Sequence, residues 1–128
     1  MSRVTITNNT AAGFGAVFLG GSALIEDSTI RDNTGANGSG IHNRGALTLL
    51  RTKVTGNQAT ESGGGISNSA TGTLTLFGTK VVKNIAVTDG GGIFNEAGGT
   101  VELNIASGTF VVKNRPDNCA GDVPGCAG

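Results

Sequence analysis

The residues able to do chemistry are few and dispersed. The chain holds nine Asp plus Glu, nine Lys plus Arg, one histidine and two cysteines. A lyase or hydrolase acting on polysaccharide needs two carboxylates, or carboxylates with Arg or Lys, on neighbouring positions of one outer face. Aligned repeat against repeat, Asp27 meets Arg51 and Gly78, Asp32 meets Gly56, Lys83 and Lys113, and Glu26 meets Leu50 and Phe77. Carboxylates do not fall on carboxylates. Asp27 with Arg51 reads as an ion pair between repeats, worth little at a surface. Glu61 and Asp89 both sit just before a Gly-Gly-Gly-Ile phrase. They are expected in equivalent turns one repeat apart, either as two solvated carboxylates or as a weak calcium site. Lys53 aligns with Lys80, and Arg31 lies on a neighbouring outward row. That strip is expected to be solvated, with an acidic glycan as the ligand it would suit.

His42 follows Ile41, which is expected to point inward, so the imidazole is expected outward and exposed. No Ser or Cys nucleophile phrase accompanies it. Gly13-Phe14-Gly15-Ala16-Val17-Phe18 misses the dinucleotide glycine pattern at its last position and has no strand-turn-helix around it. Cys119 and Cys126 are separated by Gly-Asp and Pro-Gly pairs that favour turns, so their side chains can meet. The reading is a disulfide, which implies an oxidising compartment, with two free thiols as the other possibility. Two such cysteines do not supply four zinc ligands. No cofactor and no metal site is expected.

What positions these groups is a repeat. Ile6-Thr7-Asn8-Asn9 returns as Ile30-Arg31-Asp32-Asn33, Val54-Thr55-Gly56-Asn57, Val81-Val82-Lys83-Asn84 and Val111-Val112-Lys113-Asn114. The last asparagines step by 24, 24, 27 and 30 residues, a period that means stacked coils. A second phrase runs in phase: Gly38-Ser39-Gly40-Ile41-His42-Asn43, Gly63-Gly64-Gly65-Ile66-Ser67-Asn68 and Gly90-Gly91-Gly92-Ile93-Phe94-Asn95. Between them lie alternating runs such as Leu47-Thr48-Leu49 and Leu74-Thr75-Leu76. Three short strands per unit, with β-branched residues and Gly, Thr or Asn at their ends, predict an all-β chain. The predicted fold is a single right-handed parallel β-helix of about four to five coils over residues 1–114, with residues 115–128 as a tail carrying the Cys119–Cys126 loop.

The alternation assigns faces. Ile6, Ile30, Val54, Val81 and Val111 are expected inside, as are Ile25, Leu49 and Leu76, and Val17, Ile41, Ile66 and Ile93. Thr48, Thr75, Thr55 and Val82 are expected outside. Ser28, Thr52, Thr79 and Thr109 should form an inward hydroxyl stack. Asn tolerates left-handed φ, and its amide can bond from coil to coil. Asn9, Asn33, Asn57, Asn84 and Asn114 should form one ladder, and Asn43, Asn68 and Asn95 another. A leucine-rich repeat shares the period, but the residue that should be an inward leucine is Ser or Thr.

Formal net charge is zero, so no basic footprint for nucleic acid is expected. No stretch approaches the roughly 20 apolar residues of a membrane helix. Five phenylalanines, with no tryptophan or tyrosine, leave few aromatic platforms for sugars or bases. A Thr-x-Thr array for ice binding fails after Thr5/Thr7. The N-terminus enters the repeat without a visible signal peptide. It leaves the first coil, around Val4, Ile6 and Val17, uncovered, with self-association through that end expected.

The Gly-Gly-x-Ile and x-x-Asn phrases, as in Gly63–Ile66, Gly90–Ile93 and Val54–Asn57, resemble the repeats of chlamydial polymorphic outer-membrane proteins and of secreted bacterial β-helix proteins. Ile or Val stands here where that family usually has Phe. The tail from Pro116 to Cys126 resembles the C-terminus of some actinobacterial repeat proteins. The resemblance implies a secreted or cell-surface passenger, extracellular, non-enzymatic, of structural or adhesion type, with a host-surface protein or glycan as partner. The other implied reading is part of a carbohydrate-active or carbohydrate-binding β-helix.

Overall fold

A computed structural model describes all residues 1–128. The chain is a parallel β-helix, with strands from successive coils stacked in register. The first sheet stacks Thr5–Thr7, Thr29–Arg31, Lys53–Thr55, Lys80–Val82 and Phe110–Val112. A third sheet stacks Val17–Leu19, Ile41–Asn43, Ile66–Asn68, Ile93–Asn95 and Cys119–Ala120. A fourth stacks Ser22–Glu26, Ala46–Leu50, Thr73–Phe77 and Thr100–Asn104. Register follows the repeat: Ile30 pairs with Val54, Leu49 with Leu76, and Ile66 with Ile93. The only helical element is the 3-10 turn Ile105–Ser107, so the leucine-rich alternative is set aside.

The structure has one more sheet than the three strands per unit read from sequence. Thr34–Gly35, Gln58–Ala59 and Ile85–Ala86 form a second sheet of two-residue strands just after the first ladder. Two residues are too few to display alternation, which is why this sheet left no pattern. Its inward residues, Gly35, Ala59 and Ala86, are buried. They are small because the coil is tightly bent there.

The core is the set of aliphatic rows expected inside. Leu49, Val54, Ile66, Leu76, Val81 and Ile93 have no exposed surface. Leu47, Leu74 and Val101 extend the core along the longest strands. Thr48, Thr75 and Thr55 lie on the opposite face, half-buried. Val82 also points outward but is nearly buried. It is flanked by Thr55 and Val112 on the adjacent coils, and stacking of like-sized neighbours covers an outward side chain as well as an inward one.

The ends differ. Val4, Ile6, Leu19 and Ala23 in the first coil remain partly exposed. At the other end Val123 is buried in the core, and the Cys119–Cys126 disulfide packs against it. Parallel pairing continues past Asn114: Cys119–Ala120 pairs with Ile93–Phe94. The segment expected to be a tail is therefore a last partial coil.

Candidate functional site

The residues that repeat hold the stack. In the first ladder each amide Nδ2 donates to the Oδ1 of the next coil: Asn33 to Asn57 at 3.0 Å, Asn57 to Asn84 at 2.9 Å, and Asn84 to Asn114 at 3.0 Å. The same Oδ1 also accepts the backbone N–H of the preceding asparagine, as Asn84 does from Asn57 at 3.0 Å. The second Nδ2 hydrogen goes to a carbonyl one coil back, Asn57 to Ile30 at 3.1 Å. A buried amide is thus fully satisfied by its own repeat. Asn118, not predicted as a member, closes this ladder beyond Asn114 at 3.1 Å and donates to Ala127 O. In the second ladder Asn43 donates to Asn68, and Asn68 to Asn95, both at 2.9 Å. Ser28, Thr52, Thr79 and Thr109 are buried; Ser28, Thr79 and Thr109 each accept a backbone N–H of the coil before, as in Thr79 N to Thr109 Oγ1 at 3.3 Å, and Thr52 Oγ1 donates to Ile25 O at 3.3 Å.

The corner chemistry differs from expectation in one respect. The left-handed residue is the one before each ladder asparagine: Asn8, Asp32, Gly56, Lys83 and Lys113 have φ of 58, 56, 67, 59 and 60°. The asparagines themselves are absent from the positive-φ set. Their role is to satisfy the corner, and the residue before makes the bend.

Outside, the candidates from sequence separate. Asp27 and Arg51 form a two-pronged pair, Nε to Oδ1 at 2.7 Å and Nη2 to Oδ2 at 3.0 Å. The guanidinium holds the Asp27 carboxyl below its ordinary value. Lys53 and Lys80 are cross-strand partners, and Lys80 sits 5.5 Å from the Phe110 ring centroid. Arg31 pairs instead with its neighbour Asp32 at 3.5 Å. Glu61 and Asp89 are out of register by one residue, since Asp89 is bridged to Ser62. Each carboxylate is engaged elsewhere: Glu61 accepts from Asn37 Nδ2 at 3.1 Å, and Asp89 accepts from Ser62 Oγ at 2.6 Å. No group of three or more His, Cys, Asp or Glu side chains is placed to hold a metal.

The third sheet carries a site that sequence reasoning missed. Its outward row reads Phe18, His42, Ser67, Phe94, Ala120 from coil to coil. His42 points outward as expected but is buried, only 7% exposed. Phe14 stacks on it with ring centroids 4.0 Å apart and planes at 25°, and Phe18 lies 5.4 Å away. The two phenyls are themselves 5.2 Å apart, too close to lie on opposite faces of one imidazole. Both therefore lie toward one side of the imidazole, and the neighbour on the next coil is Ser67. Burial, reinforced by Arg44, pushes the imidazole below its ordinary pKa, with Glu96 opposing. Nδ1 is buried without a partner. A lone pair is the cheaper group to leave there, so the proton belongs on Nε2.

A groove of about 510 Å³ opens at Ser67. Ser67 and Ser69 form its floor. Phe14 and His42 wall one side and Phe94 the other, with Asn37, Arg44 and Glu96 at the rim. Its edge is built where the turn after the second ladder lengthens, a longer turn that the next coil keeps as Glu96-Ala97-Gly98-Gly99. After Asn68 the chain runs Ser69-Ala70-Thr71-Gly72 before the next strand begins at Thr73, where the coil before has only Arg44-Gly45. Thr71 Oγ1 donates to Arg44 O at 3.1 Å, pinning this longer turn. Insertions in repeat folds map to loops on one face, often the face that binds. The clue in the sequence was this lengthened step together with Phe-x-x-x-Phe at Phe14 and Phe18.

Comparison with known proteins adds one finding. No curated protein and no solved structure matches the chain. The family model of the Chlamydia polymorphic membrane protein (Chlamydia_PMP) repeat matches residues 52–69, a stretch running from the corner hydroxyl Thr52 through both ladder residues, Asn57 and Asn68, to Ser69 on the groove floor. The stacked coils are β-helix repeats similar to those of that family.

Proposed function

We propose that the chain is a surface-displayed β-helix module that acts by binding rather than catalysis, and that the groove over Ser67 and Ser69 is its binding site. The carrying observation is that large outward side chains flank small ones along this row, at the step where the turn after the second ladder lengthens from two residues to four. Two further facts support the placement. The matched repeat belongs by name to a membrane protein family, and the Cys119–Cys126 disulfide suits an oxidising compartment. Binding is favoured over hydrolysis because the nearest carboxylates are already engaged. Glu96 Oε2 accepts from Ala70 N at 3.3 Å and Glu61 Oε2 from Asn37. A paired acid and base for glycoside cleavage need free, facing carboxyl groups.

The test labels the full chain with a fluorophore and measures binding to intact host epithelial cells beside a Ser67→Phe variant, which fills the groove. The native protein is located in parallel by protease treatment of intact source cells. Saturable binding lost in Ser67→Phe, with surface-accessible native protein, is expected. Equal binding by the filled variant, or a native protein shielded from protease and carrying free thiols, would overturn the reading.

A further inference from the structure

We propose that the groove holds one all-equatorial, gluco-configured pyranose residue of a glycan, sandwiched between His42 and Phe94; this rests on the groove being the binding site of the module. The geometry begins with the row itself. His42 and Phe94 lie two coils apart with Ser67 between them. Parallel strands are spaced about 4.8 Å, so the two walls stand about 9.6 Å apart at their backbones. That is room for one saturated six-membered ring in contact with both, each contact needing about 4.0–4.5 Å. The neighbouring row repeats the arrangement. Ser69 lies between Arg44 and Glu96, as the backbone bonds Ser69 N to Asn43 O and Glu96 N to Asn68 O show, both 2.9 Å. Arg44 and Glu96 make no ion pair with one another across that gap.

The chemistry of the walls and rim selects the ligand. Aromatic faces carry negative charge density. An all-equatorial pyranose presents axial C–H groups, weakly positive and apolar, on both faces, and carries its hydroxyls around the perimeter. Its faces suit His42 and Phe94, and its perimeter reaches Arg44, Glu96 and the two serines. His42 Nε2 is the ring nitrogen that reaches solvent, since only Nδ1 is sealed. A sugar with an axial hydroxyl would press that hydroxyl against an aromatic wall, where it is desolvated without a partner. A flat aromatic ligand would fill the gap but leave the Arg44 guanidinium without a hydrogen-bond partner. An acidic sugar would meet Glu96 as well as Arg44.

The experiment uses the full chain and four defined probes: cellotriose and tri-N-acetylchitotriose, gluco-configured, against mannotriose and β-1,4-galactotriose, each with an axial hydroxyl. His42 is the only histidine, so its ring protons report the site by NMR without ambiguity. The expected result is that the gluco-configured probes shift the His42 and Phe94 signals. The axial-hydroxyl probes should bind about tenfold more weakly or worse. Phe94→Ala and Ser67→Phe should each weaken binding by about the same factor, while Thr75→Ala on the fourth sheet should leave it unchanged and all three should keep the parent's circular dichroism. Equal binding of the axial-hydroxyl probes, or full binding by a folded Ser67→Phe, would overturn the proposal. If Ser67→Phe abolishes cell binding while no gluco-configured probe shifts these signals, the ligand class is wrong and the module reading stands. If Ser67→Phe binds cells as well as the parent, the module reading itself falls.

Discussion

Asn57 and Ser67 belong to the same coil and both are buried, yet they sit under opposite constraints. Asn57 occupies a corner where every coil carries the same residue. Its amide bonds Asn84 Oδ1 and Ile30 O, and its oxygen serves Asn33. Ser67 occupies an outward row where its neighbours are His42 and Phe94. Identity from coil to coil makes a ladder; difference from coil to coil makes a cavity. In this stack, the ladders live in rows that repeat, and the proposed groove lives in a row that does not.

The sharpest way to break this contrast is to truncate both residues. Asn57→Ala removes the partner of Ile30 O and of the Asn33 donors inside the corner, while Asn84 Oδ1 keeps the residue-57 backbone N–H, at about 1–3 kcal/mol for each buried group left unpaired. The expected loss is on the order of 3 kcal/mol by urea unfolding. Ser67→Ala removes a hydroxyl with no protein partner, and stability should move by less than about 0.5 kcal/mol. Equal losses would show that the two rows are not distinct in kind.

A smaller effect is expected from acid. His42 has a folded pKa below its ordinary value because burial penalises the imidazolium, with Arg44 adding to that. The unfolded chain takes up the proton first. The stability contributed by the neutral ring is therefore full above about pH 6.5 and is lost as pH falls through the folded pKa. Melting temperature should decline below pH 6.5 in the parent and decline less in His42→Gln. Parallel curves for the two would remove His42 as the cause.

The smallest expected change is a gain. Lys83 holds left-handed φ at 59°, a conformation costing roughly 1–2 kcal/mol in a residue with a Cβ. Lys83→Gly relieves it, offset by the extra freedom glycine has when unfolded, about 0.5–1 kcal/mol. A net stabilisation of about 0.5–1 kcal/mol is expected from denaturant midpoints. A loss would mean that the Lys83 side chain supports the corner.

The coils, the parallel pairing, the inward rows, both ladders and the hydroxyl stack were legible in the sequence, because each is a repeated residue at a fixed phase, and period-two alternation fixes which side faces in. Glycine runs were legible for the same reason: a Cβ on Gly65 would stand 2.8 Å from Gly92 O and 3.0 Å from Asn84 Nδ2, so the three middle coils keep glycine there, at Gly40, Gly65 and Gly92. The one-residue offset of Glu61 and Asp89 was also legible, since Ser62 stands between Glu61 and its glycines while Asp89 touches Gly90 directly. Only the tertiary structure decided the rest. The two-residue second sheet has too few positions to show a period. The aromatic groove was hidden because composition counts phenylalanines without locating them. Phe18 precedes His42 by one coil and Phe14 by slightly more, and Phe94 follows by two. Stacking at about 4.8 Å per coil turns those long separations in sequence into one wall-to-wall gap, and that conversion belongs to the fold alone.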